Sequence, residues 1–166
     1  MKQKDSKATS PKQILKITTI TYYAILLGPL GYLLTQYFGI KETKLEFTNT
    51  ENAFQYIVPI AAILGYILGK RFYESRIKAL KNKDTLLEKL NQYQLGFVFK
   101  LLLLEGPALL GIVAFTQDGN LYFLIISGIL ILLIALQKPN KINIQAVLNL
   151  SSEQRSQYNK PNEKLE

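Results

Sequence analysis

Charged residues are missing from this chain over distances that a soluble core helix does not need. Between Lys16 and Lys41 they are absent from 24 consecutive positions, among them Tyr22, Ile25, Leu33 and Phe38. A second uncharged run, 18 positions over 52–69, centres on Tyr56 to Leu68. A third, 19 positions over 119–137, is almost wholly aliphatic from Ile126 to Leu136, with only Ser127 and Gly128 interrupting. A helix needs about 20 mainly apolar residues to cross roughly 30 Å of hydrocarbon, and it satisfies its own backbone donors and acceptors while doing so. The segment from Phe97 to Thr116 contains Lys100 and Glu105 but is otherwise Leu, Val, Ile, Ala, Phe, Gly and Pro. One ionised side chain at helix centre costs about 2.5 to 3.5 kcal/mol on insertion scales. Each Leu, Ile, Phe or Val returns about 0.3 to 0.6, so Leu101–Leu104 and Leu109–Phe115 outweigh it.

The pattern predicts an all-α integral membrane four-helix bundle made of two transmembrane hairpins. The spans cover about 14–38, 53–73, 97–116 and 120–137, within a transmembrane domain of 14–138. A basic arm, 1–13, precedes it and is expected to be disordered; a tail, 139–166, follows. Leu86, Leu90, Tyr93 and Phe97 recur at helical spacing, and Thr85 with Glu88 forms a capping box. A cytoplasmic helical hairpin is therefore expected between spans 2 and 3, turning through Lys81–Asp84, its apolar stripe packed on its sister helix. In the tail, Ile142, Ile144, Val147 and Leu148 predict a short amphipathic helix on the membrane surface. From about Ser156 the polar chain is expected to be disordered.

Charge sets the orientation. Basic residues gather in the arm (Lys2, Lys4, Lys7, Lys12), in the connection after span 2 (Lys70 to Lys89) and in the tail (Lys138 to Lys164). The remaining connections hold Lys41 and Lys44 in one and no basic residue in Gln117–Asn120. The positive-inside rule puts both termini in the cytoplasm, and a bacterial inner membrane is the expected location. The first apolar run exceeds the 7 to 15 residues of a signal-peptide core, so it is read as a retained span. The net charge of +8 follows from topology and anionic headgroups, so no nucleic-acid partner is expected.

Composition narrows the chemistry. The chain has no Cys and no His, which removes thiol nucleophiles, imidazole acid–base catalysis, disulfides and the usual zinc ligands. No Ser, Thr or Tyr inside the spans pairs with a Lys or Glu as a nucleophile would require. The expectation is a non-enzyme with no catalytic residue, cofactor or metal.

One constellation stands out, Glu105-Gly106-Pro107. Pro107 lacks an N–H and conflicts with the carbonyl of Leu103, so a kink is expected at Gly106 and Pro107, with a free acceptor beside them. A low-dielectric interior favours the neutral acid, which can donate into that gap or across to another helix. An intramembrane carboxylate is by default an ion-binding candidate, and the alternative is a hydrogen bond that holds helices together. Lys100, about 140° of helix turn away, is expected to be a headgroup anchor rather than its partner. Ala61, Gly65 and Gly69 recur every four residues on span 2, and Gly111 lies on span 3, marking close helix packing. Leu26-Leu27-Gly28-Pro29-Leu30-Gly31 on span 1 echoes the segment from Leu104 to Gly111, as repeated hairpins would.

At Leu104–Phe115 followed by Gly119-Asn120-Leu121-Tyr122, and again at Gln137-Lys138-Pro139-Asn140-Lys141, the chain resembles small four-helix bacterial inner-membrane proteins of unknown function. Glu105 with Ala108, Leu110, Gly111, Ile112 and Val113 is locally similar to the carboxylate helix of proton-translocating rotor-ring subunits. The dense glycine-rich partner helix of that family has no counterpart here, and four spans are not two. These readings make the chain a structural or accessory membrane component whose partners are the lipid bilayer and a further copy of itself or another membrane protein. The second expectation is a small proton- or cation-coupled transporter using Glu105.

Overall fold

The computed structural model describes residues 10–48, 52–80, 84–160, 162 and 165. These residues form six helices and no strand: α1 (Pro11–Gly39), α2 (Phe54–Lys78), α3 (Leu86–Asp118), α4 (Leu121–Ala135), α5 (Lys141–Val147) and α6 (Ser152–Asn159). Two of them, α1 and α3, are long and apolar enough to cross a membrane. The C-terminal half of α2 is charged, from Lys70 to Lys78. The 15 residues of α4 reach only about 22 Å at 1.5 Å per residue.

Local chemistry sets the helix ends. Ser10 caps α1 by accepting from the Gln13 N–H, with Pro11 in the first turn, where a missing N–H costs nothing. The arm expected to be disordered through residue 13 is thus helical from Pro11, and residues 1–9 lie outside the described residues. Both halves of the Thr85–Glu88 capping box are formed. The turn expected at Lys81–Asp84 falls mostly on 81–83, also outside the described residues. α3 ends at Gly119, whose φ of +64° favours glycine and where a β-carbon would stand 2.9 Å from the Glu42 carbonyl oxygen. Asn120 then caps α4.

α3 is the axis of the fold. It packs against α1, α2 and α4, and α4 in turn touches both α1 and α2. Leu101, Leu104, Ala108 and Ile112 line its buried face. At one end two loops are tied together: Lys44 N–H donates to the Gly119 carbonyl and Leu121 N–H to the Lys44 carbonyl, a single bridge between α1–α2 and α3–α4 connections. Asn120, fully buried, accepts from the Glu46 N–H and donates to the Glu46 carbonyl. Lys44 Nζ lies 2.7 Å from Asp118 and 3.2 Å from Glu46. The Asp118 hydrogen bond first, and the Glu46 one second, hold the Lys44 ammonium above the usual lysine range.

The opposite end departs from expectation. Leu86, Leu90, Tyr93 and Phe97 are buried, yet they share one core with Ile144, Leu148, Leu150 and Tyr158 of the tail. The tail folds back onto the extension of α3. The sister helix packs on the same stripe as expected: Tyr73, Ile77 and Leu80 lie against this core, the Tyr73 and Tyr93 ring centroids are 6.1 Å apart, and a β-carbon on Gly96 would stand 3.3 Å from the Tyr73 ring. The amphipathic tail helix is α5, but its apolar residues are divided: Ile144 and Leu148 enter the protein core, whereas Ile142 and Val147 are exposed. Chain expected to be disordered from Ser156 is helical in α6 up to Asn159, with Tyr158 buried. Lys89 and Gln154 fasten the two parts, Lys89 Nζ donating to Gln154 Oε1 at 3.0 Å and Gln154 Nε2 to the Asp84 carbonyl at 2.9 Å.

Candidate functional site

Proline 107 determines the geometry around the carboxylate. α3 runs without interruption from Leu86 to Asp118 with Pro107 inside it. What Pro107 removes is the N–H that would have paired with the Leu103 carbonyl. Gly65 of α2 sits over that oxygen: a β-carbon built on Gly65 would overlap it and stand 3.1 Å from Pro107 Cγ. One turn away, a β-carbon on Gly69 would come within 3.1 Å of the Lys100 carbonyl oxygen. Small residues thus bring the two helix backbones together along the line where α3 has a spare acceptor.

Gly111 plays the same part towards α4. A β-carbon there would collide with Ser127 Oγ and lie 3.1 Å from the Phe123 carbonyl oxygen. Ser127, fully buried, donates its one hydroxyl proton between the carbonyls of Ala108 and Phe123, both at 2.9 Å. Ala61 is half-buried. Gly106, by contrast, is exposed, with nothing within 4 Å of where a β-carbon would go.

Glu105 turns the other way. Two residues along a helix is about 200°, so the carboxyl leaves α3 on the side opposite the Leu103 acceptor and cannot donate into that gap. It reaches α1 instead, where Gly28 leaves room: a β-carbon on Gly28 would lie 3.8 Å from Glu105 Oε1. Glu105 is half-buried there and makes no hydrogen bond or ion pair with any described residue. The resemblance between the Gly28-Pro29 and Gly106-Pro107 segments therefore acquires a spatial meaning, because the glycine of the first faces the acid that precedes the second.

Lys100 is not brought to Glu105. Its ammonium stands 5.1 Å from the centre of the Tyr73 ring, in a cleft of about 290 Å³ that also takes in Lys138. Reading the chain for single residues missed this cleft, because it joins segments from α2, α3 and the start of α5. The proximity of Lys100 and Lys138 has no signature in local spacing. Among the described residues no group of three or more Asp, Glu, His or Cys is placed to hold a metal ion. No protein-family model, curated protein or solved structure matches the chain.

Proposed function

We propose that this chain is a multi-pass protein of a bacterial inner membrane, a four-helix bundle with both termini cytoplasmic, serving as a non-enzymatic structural or accessory component. The observation that carries this reading is the apolar exterior. Ile20 and Leu27 of α1, Ile60, Ile63 and Leu64 of α2, Leu102 of α3, and Ile125, Ile129 and Leu132 of α4 are all exposed. Soluble monomers seldom show contiguous apolar patches beyond a few hundred Å², and here every long helix contributes. Lipid is the solvent that such a surface fits. A bilayer accommodates the short, uncharged α4 when its Asn120 cap and the turn through Gln137 are counted with it, since bilayers thin and flanking residues snorkel to meet short spans.

The assembly of tail and α3 extension into one apolar core supports an accessory role, because it builds a rigid cytoplasmic platform continuous with the bundle. Reporter fusions after Lys12, Lys44, Asp84, Gly119 and Lys160 test the topology: cytoplasmic signals are expected at the first, third and fifth, periplasmic signals at the others. Release of the protein from membranes by alkaline carbonate overturns it.

A second reading rests on Glu105. A carboxyl facing a glycine notch without a polar partner is a group free to exchange a proton or hold a cation, and α1 and α3 would frame the route. Glu105→Gln keeps the size and hydrogen-bonding capacity but removes titration. Loss of proton-driven flux in vesicles with unchanged folding supports coupling, and flux equal to that of the parent protein rejects it.

A further inference from the structure

The cleft around Lys100 and Lys138 is unlike the rest of the exterior. Two cations line it, with no carboxylate oxygen within 4 Å of either among the described residues. Each ammonium lies against an aromatic ring, Lys100 over Tyr73 at 5.1 Å and Lys138 over Tyr23 at 5.8 Å. The rings draw the ammonium groups along apolar surface while leaving N–H donors unused. Asn140 and Asn143 add amide groups to the lining. Gln137 also lines the cleft, but its Nε2 is committed to the Leu133 carbonyl and its Oε1 is buried away from the surface, so the donors facing a ligand come from the lysines and asparagines. Among charges facing it from α2, Lys70 adds to the positive potential at Lys100, while Glu74 opposes it and lies 3.7 Å from Lys78.

The surroundings narrow the ligand. Leu136, 74 % exposed, and Val147 of α5, 38 % exposed, both line the cleft. A site with cationic and amide donors on one wall and bare aliphatic surface at its rim suits an anion that carries its own hydrocarbon. We propose that this cleft binds the phosphate headgroup of an anionic phospholipid, with Lys100 and Lys138 contacting the phosphate, the Asn140 and Asn143 amides beside them, and the acyl chains lying along Leu136. Basic pockets where helices leave the membrane on the cytoplasmic side are suited to such headgroups. The inference rests on the membrane reading above. It adds a headgroup preference that the reading does not require, and Glu105 plays no part in it.

The test uses the full chain purified in neutral detergent, with thermal unfolding followed as lipid is added to the micelles. Phosphatidylglycerol is expected to raise the midpoint saturably, whereas phosphatidylcholine and inorganic phosphate are not. Lys138→Gln, on an exposed side chain, and Lys100→Gln should each raise the concentration for half-maximal effect about fivefold. Lys41→Gln, distant from the cleft in sequence and exposed, should leave it unchanged. Equal response to phosphatidylglycerol and phosphatidylcholine, or an unaltered response in both cleft variants, overturns the proposal. A response to inorganic phosphate as large as that to phosphatidylglycerol assigns the cleft to free phosphate and overturns the lipid. Solubility without detergent sinks the membrane reading itself, a result separate from a detergent-requiring chain that shows no headgroup preference.

Discussion

The two flanks of α3 are built on opposite plans. Towards α2, Gly65 and Gly69 bring backbone onto backbone, and the acceptor released by Pro107 is covered by the helix that touches it. Towards α1, Gly28 leaves a notch in which Glu105 is only loosely approached, at 3.8 Å from a β-carbon that is not there. The glycines of the two Gly-Pro dipeptides, Gly28 in α1 and Gly106 in α3, would each accept an added methyl, whereas Gly65 and Gly69 of α2 are closed to one. A glycine marks close packing only where the facing surface has come up to meet it, and the sequence of one helix does not say what faces it.

Adding one methyl group at a closed contact has the largest expected effect. Gly65→Ala and Gly111→Ala should each cost about 1 to 3 kcal/mol, the range for overpacking a filled contact, read as a fall in unfolding midpoint in detergent. A midpoint within error of the parent for both would show that neither glycine is at a closed contact.

The next largest effect lies in the loop clasp. Asn120→Ala removes the α4 cap, leaves the Glu46 N–H without its acceptor and leaves the Glu46 carbonyl with only Gln55 Nε2 at 3.4 Å, at a cost of about 1 to 2 kcal/mol. Limited proteolysis should then cut between Lys41 and Phe47 faster than in the parent.

Smaller changes come with alkaline pH at groups outside α1 to α4. Burial pushes the Tyr158 hydroxyl from 10.0 up to about 12. A folded-state value above the unfolded one favours the protonated, folded form. This contribution is therefore complete below pH 10 and is lost as pH rises from 10 towards 12. Lys44, raised by Asp118 and Glu46, acts in the same direction: its contribution is present below the ordinary lysine value and lost as pH passes through the folded one. Because the Tyr158 hydroxyl is buried without a partner, Tyr158→Phe should equal or exceed the parent at pH 8, by at most about 1 kcal/mol. Its stability should also fall less steeply above pH 10. An unchanged alkaline slope would show that Tyr158 is not the buried group responsible.

The smallest effects complete the contrast between flanks. Gly28→Ala and Gly106→Ala should lie within about 0.5 kcal/mol of the parent, with Gly106→Ala, which meets open space, on the stabilising side. Should Gly28→Ala match Gly65→Ala in cost, the two flanks are equally tight and the notch is illusory.

Much of the helical plan was readable along the chain because its signals are local. The Thr85–Glu88 box occupies four neighbouring residues and each uncharged run is continuous in the chain, and the helices start and stop close to them. The tail was misread for the opposite reason. Gln154, Tyr158 and Leu148 are polar or scattered in sequence, and only contact with Leu86, Leu90 and Lys89, some 60 residues earlier, turns them into a core. The candidate site divides in the same way. Glu105 was conspicuous as a carboxylate among aliphatic residues, whereas its neighbour Gly28 and the pairing of Lys100 with Lys138 in one cleft depend on how separate helices are arranged.

Residue order settled the long helices, the Thr85 cap and which stretches shun water, since these follow from hydrogen bonds within four residues and from the free energy of transfer. The folded chain settled which face of α3 is closed, where Glu105 points and what covers the hairpin stripe. Those outcomes hinge on side chains brought together from distant positions, and no short-range preference encodes them.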